Sequence, residues 1–353
     1  MTVAINGTSG LVFNDGSTQG TGGYTGFRNR IINGAMVIDQ RNAGASVTPT
    51  DGQYLVDRFQ AQLTQASKFT AQQNAGSVTP PVGFTNYLGA TSLSAYSVVA
   101  GDIFNIRQGI EGFNIADLGW GTANAKTVTL SFLVRSSLTG TFGGSLKNNA
   151  GNRSYPFNYS IPVANTWTPI SISIVGDTTG TWLTNNGVGI NLNFSLGTGS
   201  TYSGTAGAWA GANYLSATGA TSVVGTNGAT FYITGVQLEK GSVATPFEVR
   251  SYGTELALCQ RYYCIFPVAA GAAYPIGGAG ANAYVQYTYP VTMRATPTIT
   301  AGAQSSNVNV SSDSFSGGGV APTSIGGVYN VIQGSTAGNF AASRLYNSAS
   351  AEL

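Results

Sequence analysis

The chain has 353 residues, of which only 8% are charged, and 15 Lys and Arg against 13 Asp and Glu give a formal net charge of +2. A balance this close to neutral, without a basic run, excludes a nucleic-acid site that works by neutralising phosphates. The sequence has no His, which excludes a Ser-His-Asp or Cys-His catalytic site and removes the commonest transition-metal ligand.

The chain start and the apolar stretches give no sign of a membrane or a secretion signal. Residues 1–7 have neither a basic start nor an apolar centre, so no signal peptide is expected. Ser, Thr, Asn and Gly interrupt every long uncharged stretch, so no membrane insertion is predicted. The two cysteines are too few for a disulfide framework. No metal-ligand cluster or phosphate loop is found, so neither a metal nor a cofactor is expected.

Three segments follow one another along the chain. Residues 1–27 are Gly-rich and too short to hold a core of their own. Residues 28–250 carry period-two runs of Val, Ile, Thr, Phe and Tyr, of which the clearest are 127–134, 170–175, 188–194 and 230–238. Such runs indicate strands with one buried face, and their succession without crossover helices predicts an antiparallel β-sandwich or jelly roll.

Residues 251–353 are expected to form a smaller C-terminal β domain. The segment begins with a helical connector in which Thr254 is the expected N-cap and Glu255 lies in the first turn. Strand-like runs follow at 284–289, 298–300, 308–310 and 327–332. A second short helix is expected at 113–118, between two glycines. The fold class is therefore all-β.

Aromatic residues in loop-like tracts are the main candidates for a binding site. Trp and Tyr rings can stack on the C–H faces of sugars, while amides and hydroxyls bind the sugar rim. The same rings pack in cores and subunit interfaces equally well, and that alternative stays open. The residues proposed for glycan binding are Trp182, Asn185, Tyr202, Trp209 and Tyr214. Core packing is expected instead for Trp167, which precedes a clear strand.

Charged residues give weaker signals. Arg58, beside Asp57, has the chemistry to bind a sugar or a carboxylate, but an internal role at the sandwich edge with Arg41 is the favoured interpretation. Glycoside cleavage requires two carboxyl groups that meet in a cleft. The Asp and Glu residues of this chain are scattered and lie mostly in turn-like segments. The chain is therefore not expected to be an enzyme.

Several sequence segments resemble those of bacteriophage tail-fibre proteins. Residues 11–19 (LVFNDGSTQ) resemble a short N-terminal repeat of that family, and 29–36 (NRIINGAM) resemble the opening of its sandwich domain. The closing strand of that domain is similar to 235–241 (GVQLEKG) followed by 244–248 (ATPFE). Residues 259–263 (CQRYY) and 290–298 (PVTMRATPT) are similar to the family's junction and its C-terminal domain.

This resemblance implies a tail appendage of a virion, assembled in the host cytoplasm and usually trimeric, with a jelly roll similar to carbohydrate-binding modules. Its implied partners are other tail proteins, reached through the N-terminal segment, and a glycan on the bacterial surface. The function expected is adhesion to the host by non-covalent glycan binding. Two alternatives remain: a purely structural tail or collar component without a receptor site, and a polysaccharide depolymerase.

Overall fold

The structure is a computed structural model that describes residues 27–266, 288–300 and 347–353 in full. It also describes the backbone of strands at 4–6, 10–12, 18–19, 271–273, 282–287, 304–308, 310–314, 327–334 and 340–344. The first three strands form a small antiparallel sheet in the order β1-β2-β3. Their bounds are Ala4–Asn6 (β1), Gly10–Val12 (β2) and Thr18–Gln19 (β3). The predicted role of residues 1–27 in virion attachment stays a prediction.

The central part of the chain is a sandwich of two antiparallel sheets. The six-stranded sheet has the order β11-β10-β13-β8-β5-β4 and the five-stranded sheet the order β12-β9-β16-β7-β6. The strands of the first are Tyr54–Val56 (β4), Phe59–Leu63 (β5), Ile103–Glu111 (β8), Gly140–Lys147 (β10), Ser154–Ile161 (β11) and Val188–Thr198 (β13). Those of the second are Phe69–Gln73 (β6), Leu88–Ser92 (β7), Val128–Ser136 (β9), Thr168–Ile174 (β12) and Thr230–Lys240 (β16). The predicted all-β jelly-roll sandwich is confirmed.

The core lies between the two sheets because alternate residues of each strand are apolar. In β9, Leu130 and Phe132 point inward while Ser131 points outward. The Phe132 ring meets Phe194 of the opposite sheet at a centroid distance of 5.1 Å. Each such fully buried side chain contributes about 1.5–3 kcal/mol to folding. The alternation of apolar and polar residues along each strand therefore determines which side of each sheet faces solvent.

Short helical elements lie at two of the expected places. Helix α1, Tyr252–Gln260, connects the sandwich to the C-terminal part, and Glu255 lies in its first turn as expected. The expected N-cap Thr254 is wrong, because the Ser251 hydroxyl accepts the bond from the Thr254 backbone N–H. The helix expected at 113–118 is two separate 3-10 turns, Gly112–Asn114 and Ala116–Leu118.

A smaller β region follows α1, as expected, and its described strands form three three-stranded sheets. Their orders are β17-β25-β20, β18-β24-β21 and β19-β23-β22. The strands are Tyr263–Phe266 (β17), Gly271–Ala273 (β18), Asn282–Thr288 (β19), Thr298–Thr300 (β20), Gln304–Val308 (β21), Val310–Ser314 (β22), Gly327–Gly334 (β23), Phe340–Arg344 (β24) and Asn347–Ser350 (β25). The exact limits proposed for the domains stay predictions.

Two arginines, the buried Arg58 and the partly exposed Arg261, join this region to the sandwich. Arg58 is 2% exposed, pairs with Glu352 and donates to the Gly109 carbonyl at 2.7 Å. Arg261 pairs with Glu111 at 2.7 Å. The framework interpretation of Arg58 is confirmed, because its guanidinium is enclosed and faces a carboxylate of the chain itself. Removing one partner of such a buried pair leaves an uncompensated charge and costs about 3–5 kcal/mol.

Candidate functional site

The two tryptophans proposed for glycan binding lie together, in a cluster that closes one end of the sandwich. Trp182 is 6% exposed and meets Trp120 at a centroid distance of 4.7 Å. Trp209 is half-buried and lies 5.4 Å from Trp182 and 5.2 Å from Tyr155. The indole N–H groups of Trp182 and Trp209 donate to backbone carbonyls at 3.2 and 2.7 Å. These contacts leave Trp209 as the member with solvent-exposed ring area.

Trp167 was expected in the core and is instead half-buried at the edge of the five-stranded sheet, where its Nε1 donates to the Thr79 carbonyl at 3.0 Å. Trp182, which lies in a loop, is the buried ring of the two. A loop that crosses the end of a sandwich can bury its aromatic residue as fully as a strand does, and position in a loop does not predict exposure.

Of the other three proposed residues, Tyr214 lies beside the tryptophan cluster, because its N–H donates to Oγ of Ser154, the residue before Tyr155. Tyr202 and Tyr214 are close in space, because the Leu215 N–H donates to the Tyr202 carbonyl at 2.7 Å. Asn185 is exposed in a turn, where its side-chain oxygen accepts from the Gly187 N–H at 2.9 Å. Glycan binding by the five residues stays a prediction.

The outward side of the six-stranded sheet carries a row of amide and cationic side chains, here called the amide face. In the sheet register, Gln60 pairs with Arg107 and Arg107 with Asn193, while Gln62 pairs with Asn105. The inward neighbours of these residues belong to the core. The amide face consists of Gln60, Gln62, Asn105, Arg107, Lys147, Asn191 and Asn193.

Several buried polar atoms of the amide face have no hydrogen-bond partner among the described residues. They are Gln62 Oε1, Asn105 Nδ2, Arg107 Nε and Asn193 Oδ1. Asn105 and Asn193 are both 0% exposed. A buried polar atom without a partner costs about 1–3 kcal/mol, and such atoms are rare in folded proteins. Four such atoms lie on this one sheet face, while others among the described residues are the guanidinium Nε atoms of Arg28, Arg30 and Arg58.

The remaining hydrogen bonds hold these amides in fixed orientations. Asn193 Nδ2 donates to Ser145 Oγ at 3.2 Å, which leaves the amide oxygen unpaired. Asn105 Oδ1 accepts from Thr198 Oγ1 at 3.1 Å, which leaves the amide nitrogen unpaired. Asn193 therefore keeps one unpaired acceptor and Asn105 one unpaired donor on neighbouring strands, both enclosed and oriented by the protein. Orienting such groups before binding reduces the entropy lost in the complex.

The amide face is also cationic. Lys147 lies on β10 and Arg107 on β8, on either side of strand β13. Burial, followed by repulsion from Arg107, lowers the pKa of Lys147 to about 8. None of the ion pairs found within the described ranges includes either residue. The two positive charges therefore lie on the same sheet face, and no described carboxylate forms an ion pair with either.

Residues 199–225, here called the covering segment, lie over one side of the amide face. The segment contains two short paired strands, Ser203–Gly204 (β14) and Ser216–Ala217 (β15). A Cβ at Gly143 would lie 2.5 Å from Ser216 Oγ, so the close approach of the segment requires glycine there. The segment also places Tyr214 beside the sheet, because its N–H donates to Ser154 Oγ at 3.1 Å.

Two half-buried tyrosines border the amide face on opposite sides. Tyr214 lies at the margin formed by the covering segment, next to Asn213, whose side-chain oxygen accepts from Lys147 Nζ at 2.9 Å. Tyr54 lies at the other margin, where Gln60 Nε2 donates to its hydroxyl at 3.4 Å. Half-buried rings at the edges of a polar face are suited to contact a flat ligand.

The outward side of the five-stranded sheet, here called the closed face, differs in its hydrogen bonds. Gln237 Nε2 donates to Glu239 Oε1 at 2.9 Å, and Gln237 Oε1 accepts from the Glu248 N–H at 2.8 Å. Glu239 also accepts from the Thr245 N–H at 2.8 Å. The buried polar groups of this face are thus paired with residues 241–248 of the chain itself. Beside them lies an open groove of about 340 Å³ that includes the edge-to-face pair Phe84 and Phe247.

The described residues contain no group of three or more His, Cys, Asp and Glu side chains arranged to bind a metal ion. Buried carboxylates at the junction are paired with arginines: Asp57 with Arg41 at 3.8 Å and Glu352 with Arg41 at 3.0 Å. Burial raises the pKa of Asp57 to about 6. No described helix combines the length and apolar character needed to cross a bilayer.

Comparisons with known proteins return only distant structural similarities. No protein-family profile and no curated protein sequence matches the chain. The enzymatically active domain of bacteriophage CBA120 tailspike protein 4 is 15% identical, with a TM-score of 0.33, and the match covers 60% of this chain and 21% of that one. A putative sugar binding protein from Bacteroides thetaiotaomicron is 11% identical, with a TM-score of 0.32, over 61% of this chain and 100% of that one.

A third solved structure, TmCBM61 in complex with β-1,4-galactotriose, is 9% identical to this chain. Its TM-score is 0.31, and the match covers 61% of this chain and 99% of that one. Scores and identities of this size do not establish a shared function. The functional argument therefore depends on the residues of this chain.

The residues of the amide face were not identified from the sequence. Asn105 and Arg107 alternate with Phe104 and Ile106, and Asn193 alternates with Leu192 and Phe194, as on any strand with one solvated side. A signal was present in the residue types, since amides and one arginine occupy outward positions where Ser and Thr are commoner elsewhere in the chain. Only the pairing of β8 with β13 brings these residues together.

Proposed function

We propose that this protein is a phage tail fibre that adheres to the bacterial surface by binding a glycan on the amide face. One observation carries the proposed site: buried donors and acceptors without partners, on neighbouring strands of one sheet face. The phage assignment is supported by the segments that resemble tail-fibre proteins, which lie along the chain from the N-terminal segment to the C-terminal region. The proposal moves the main site from Trp182 and Trp209 to the six-stranded sheet.

Sugar hydroxyls match the chemistry of this face. A hydroxyl both donates and accepts, so the Asn193 oxygen and the Asn105 nitrogen can bind groups of one saccharide once the side chains that enclose them move aside. Each such bond contributes about 0.5–1.5 kcal/mol net. Tyr54 and Tyr214 at the margins provide ring faces for the C–H surfaces of the sugar. Tyr214 and its neighbour Tyr202 thus keep the glycan-binding role that the sequence analysis proposed for them.

Binding without cleavage is part of this proposal. The carboxylates that come close to one another, Asp57 and Glu352, are enclosed at the junction and paired with arginines. Glycoside hydrolysis requires two carboxyl groups on either side of a bound sugar. Neither carboxylate lies on the amide face, so the proposed site has amides and cations as its polar groups.

Weak single sites gain strength when several copies are presented together. We include a homotrimer in the proposal, as the tail-fibre resemblance implies, because simultaneous binding raises avidity by about 10²–10⁴. Light scattering on the full chain should give roughly 109 kDa for three chains of 36.2 kDa. A mass of one chain would remove the multivalent part of the proposal while leaving the amide face as a single site.

The test is a glycan array of bacterial surface oligosaccharides, followed by calorimetric titration with the best-bound member. Asn193→Ala should lower the affinity about tenfold or more, because it removes the free acceptor at the centre of the face. Asn124→Ala is the matched control, since Asn124 is exposed in a loop outside the amide face. Loss of binding in Asn193→Ala alone supports the proposal. Absence of any bound oligosaccharide, or equal binding by both variants, contradicts it.

A further inference from the structure

Two cations of the amide face have no carboxylate partner, and this has a consequence for the kind of ligand. Arg107 Nη2 donates to Gln60 Oε1 at 3.2 Å, while its buried Nε has no partner among the described residues. Lys147 Nζ donates to Asn213 Oδ1 at 2.9 Å, which uses one of its three N–H donors. Neutral partners thus satisfy only part of the hydrogen-bonding capacity of each cation.

The other buried or half-buried cations of the described structure fall into two groups. Arg30 pairs with Asp117 at 2.8 Å, Arg153 with Asp177 at 2.7 Å and Arg261 with Glu111 at 2.7 Å. A second group, like Arg107 and Lys147, takes part in none of the ion pairs found among the described residues: Arg28, Lys68, Arg135 and Arg294. Arg107 and Lys147 differ from that group because they lie on the same sheet face and flank the same strand.

Keeping two like charges near each other in a partly buried place is unfavourable without a counter-charge. Burial first, and then repulsion from Arg107, lowers the pKa of Lys147 to about 8. A bound anion would relieve this repulsion. An arginine fork favours a carboxylate, which it can bind through two parallel N–H···O bonds, and the lysine adds a second point charge.

We propose that the amide face selects an acidic saccharide, whose carboxylate is bound between Arg107 and Lys147 while the unpaired amides of Asn105 and Asn193 bind neighbouring hydroxyls. This inference rests on the proposed glycan-binding function and adds the class of sugar: a uronic or other carboxylate-bearing residue. Half-buried Arg107 provides access from solvent, and exposed Asn213 lies beside Lys147 at the rim of the covering segment.

The experiment compares acidic bacterial oligosaccharides with the same oligosaccharides after chemical reduction of their carboxyl groups to alcohols. Wild-type protein should bind the acidic form about tenfold or more tightly than the reduced form, and the preference should weaken as salt is raised. Arg107→Gln and Lys147→Gln should each lower the affinity for the acidic form more than the affinity for the reduced form, so that the preference between the two shrinks. A phosphate-bearing set without carboxylates is included as a separate arm.

Two charge-matched controls keep the test specific. Arg135→Gln removes a half-buried arginine of the closed face, and Lys126→Gln removes an exposed lysine. Both should bind like wild type. Equal binding of acidic and reduced forms, or tighter binding of the phosphate set, would overturn the carboxylate assignment and leave the glycan site in place. Absence of binding to every form would instead contradict the proposed function itself.

Discussion

The two outer faces of the sandwich differ in how their buried polar groups are satisfied. On the closed face, Gln237 and Glu239 are bonded to each other and to residues 241–248. On the amide face, Asn105 and Asn193 each keep an unpaired buried atom, and Arg107 and Lys147 lack an acid. Both faces come from the same period-two alternation of apolar and polar residues.

This difference shows that the role of a polar sheet face depends on whether its buried donors and acceptors have hydrogen-bond partners. A satisfied network stabilises the fold, whereas an unsatisfied one destabilises it until a ligand supplies the missing groups. The closed face therefore belongs to the framework of the protein. The amide face carries a stability cost that a bound glycan can offset, and the following changes test this division.

The largest expected effect tests whether the tryptophan cluster belongs to the framework or to a binding site. Trp182→Ala should lower the free energy of unfolding by about 3–5 kcal/mol, because it leaves a cavity beside Trp120. Thermal denaturation measures this loss, and Trp209→Ala, which truncates a half-buried ring, should cost less. If Trp182→Ala kept full stability and lost glycan binding, the site would lie at the tryptophans. The assignment of binding to the amide face would then be wrong.

A matched pair of glutamines tests the two faces directly. Gln237→Ala should lower the free energy of unfolding by about 1–3 kcal/mol, since the Glu248 N–H loses its acceptor and Glu239 a donor. Gln62→Ala should change the stability by less, because Gln62 Oε1 has no partner to lose. Urea denaturation gives both values. Equal losses in the two variants would mean that the faces are energetically alike.

Asn193→Ala should separate binding from stability. We expect a change of less than about 1 kcal/mol in the free energy of unfolding, because the variant loses one bond to Ser145 and also removes an unpaired buried oxygen. Glycan affinity should still fall, as measured by calorimetry. A strongly destabilised variant would assign Asn193 to the framework.

The smallest effect concerns pH and Lys147. Its pKa is about 8 in the fold and 10.5 in the unfolded chain, so between these values the unfolded chain binds more protons. Raising the pH through this window should therefore increase the contribution of Lys147 to stability, by about 1 kcal/mol after solvent screening. The measurement is the difference in unfolding free energy between wild type and Lys147→Met from pH 7 to 10. A difference that stays constant with pH would contradict the buried, repelled state of the ammonium group.

Much of the framework could be predicted from the sequence. The alternation in residues 188–194 indicated the strand that the structure extends to Val188–Thr198, and residues 230–238 indicated Thr230–Lys240. Alternation predicts which residues face inward because it follows from strand geometry alone. The framework role of Arg58 was also predicted, although its partner Glu352 lies far along the chain.

The site could not be predicted, because its residues come together only through long-range pairing. Arg107 meets Asn193 across the β8–β13 pairing, and nothing local to either residue specifies that neighbour. Trp182 shows the converse, since its loop-like surroundings left both sugar binding and packing open, and the fold places it in the core. Local patterns report the face of a strand, while the presence or absence of partners depends on the whole fold.

The most direct test of the central claim is a crystal structure of the protein with the oligosaccharide it binds most tightly. The account predicts sugar density over the amide face, with hydroxyls within hydrogen-bond distance of Asn193 Oδ1 and Asn105 Nδ2. Density against Trp209 or in the groove beside Phe84 and Phe247, with the amide face empty, would contradict it.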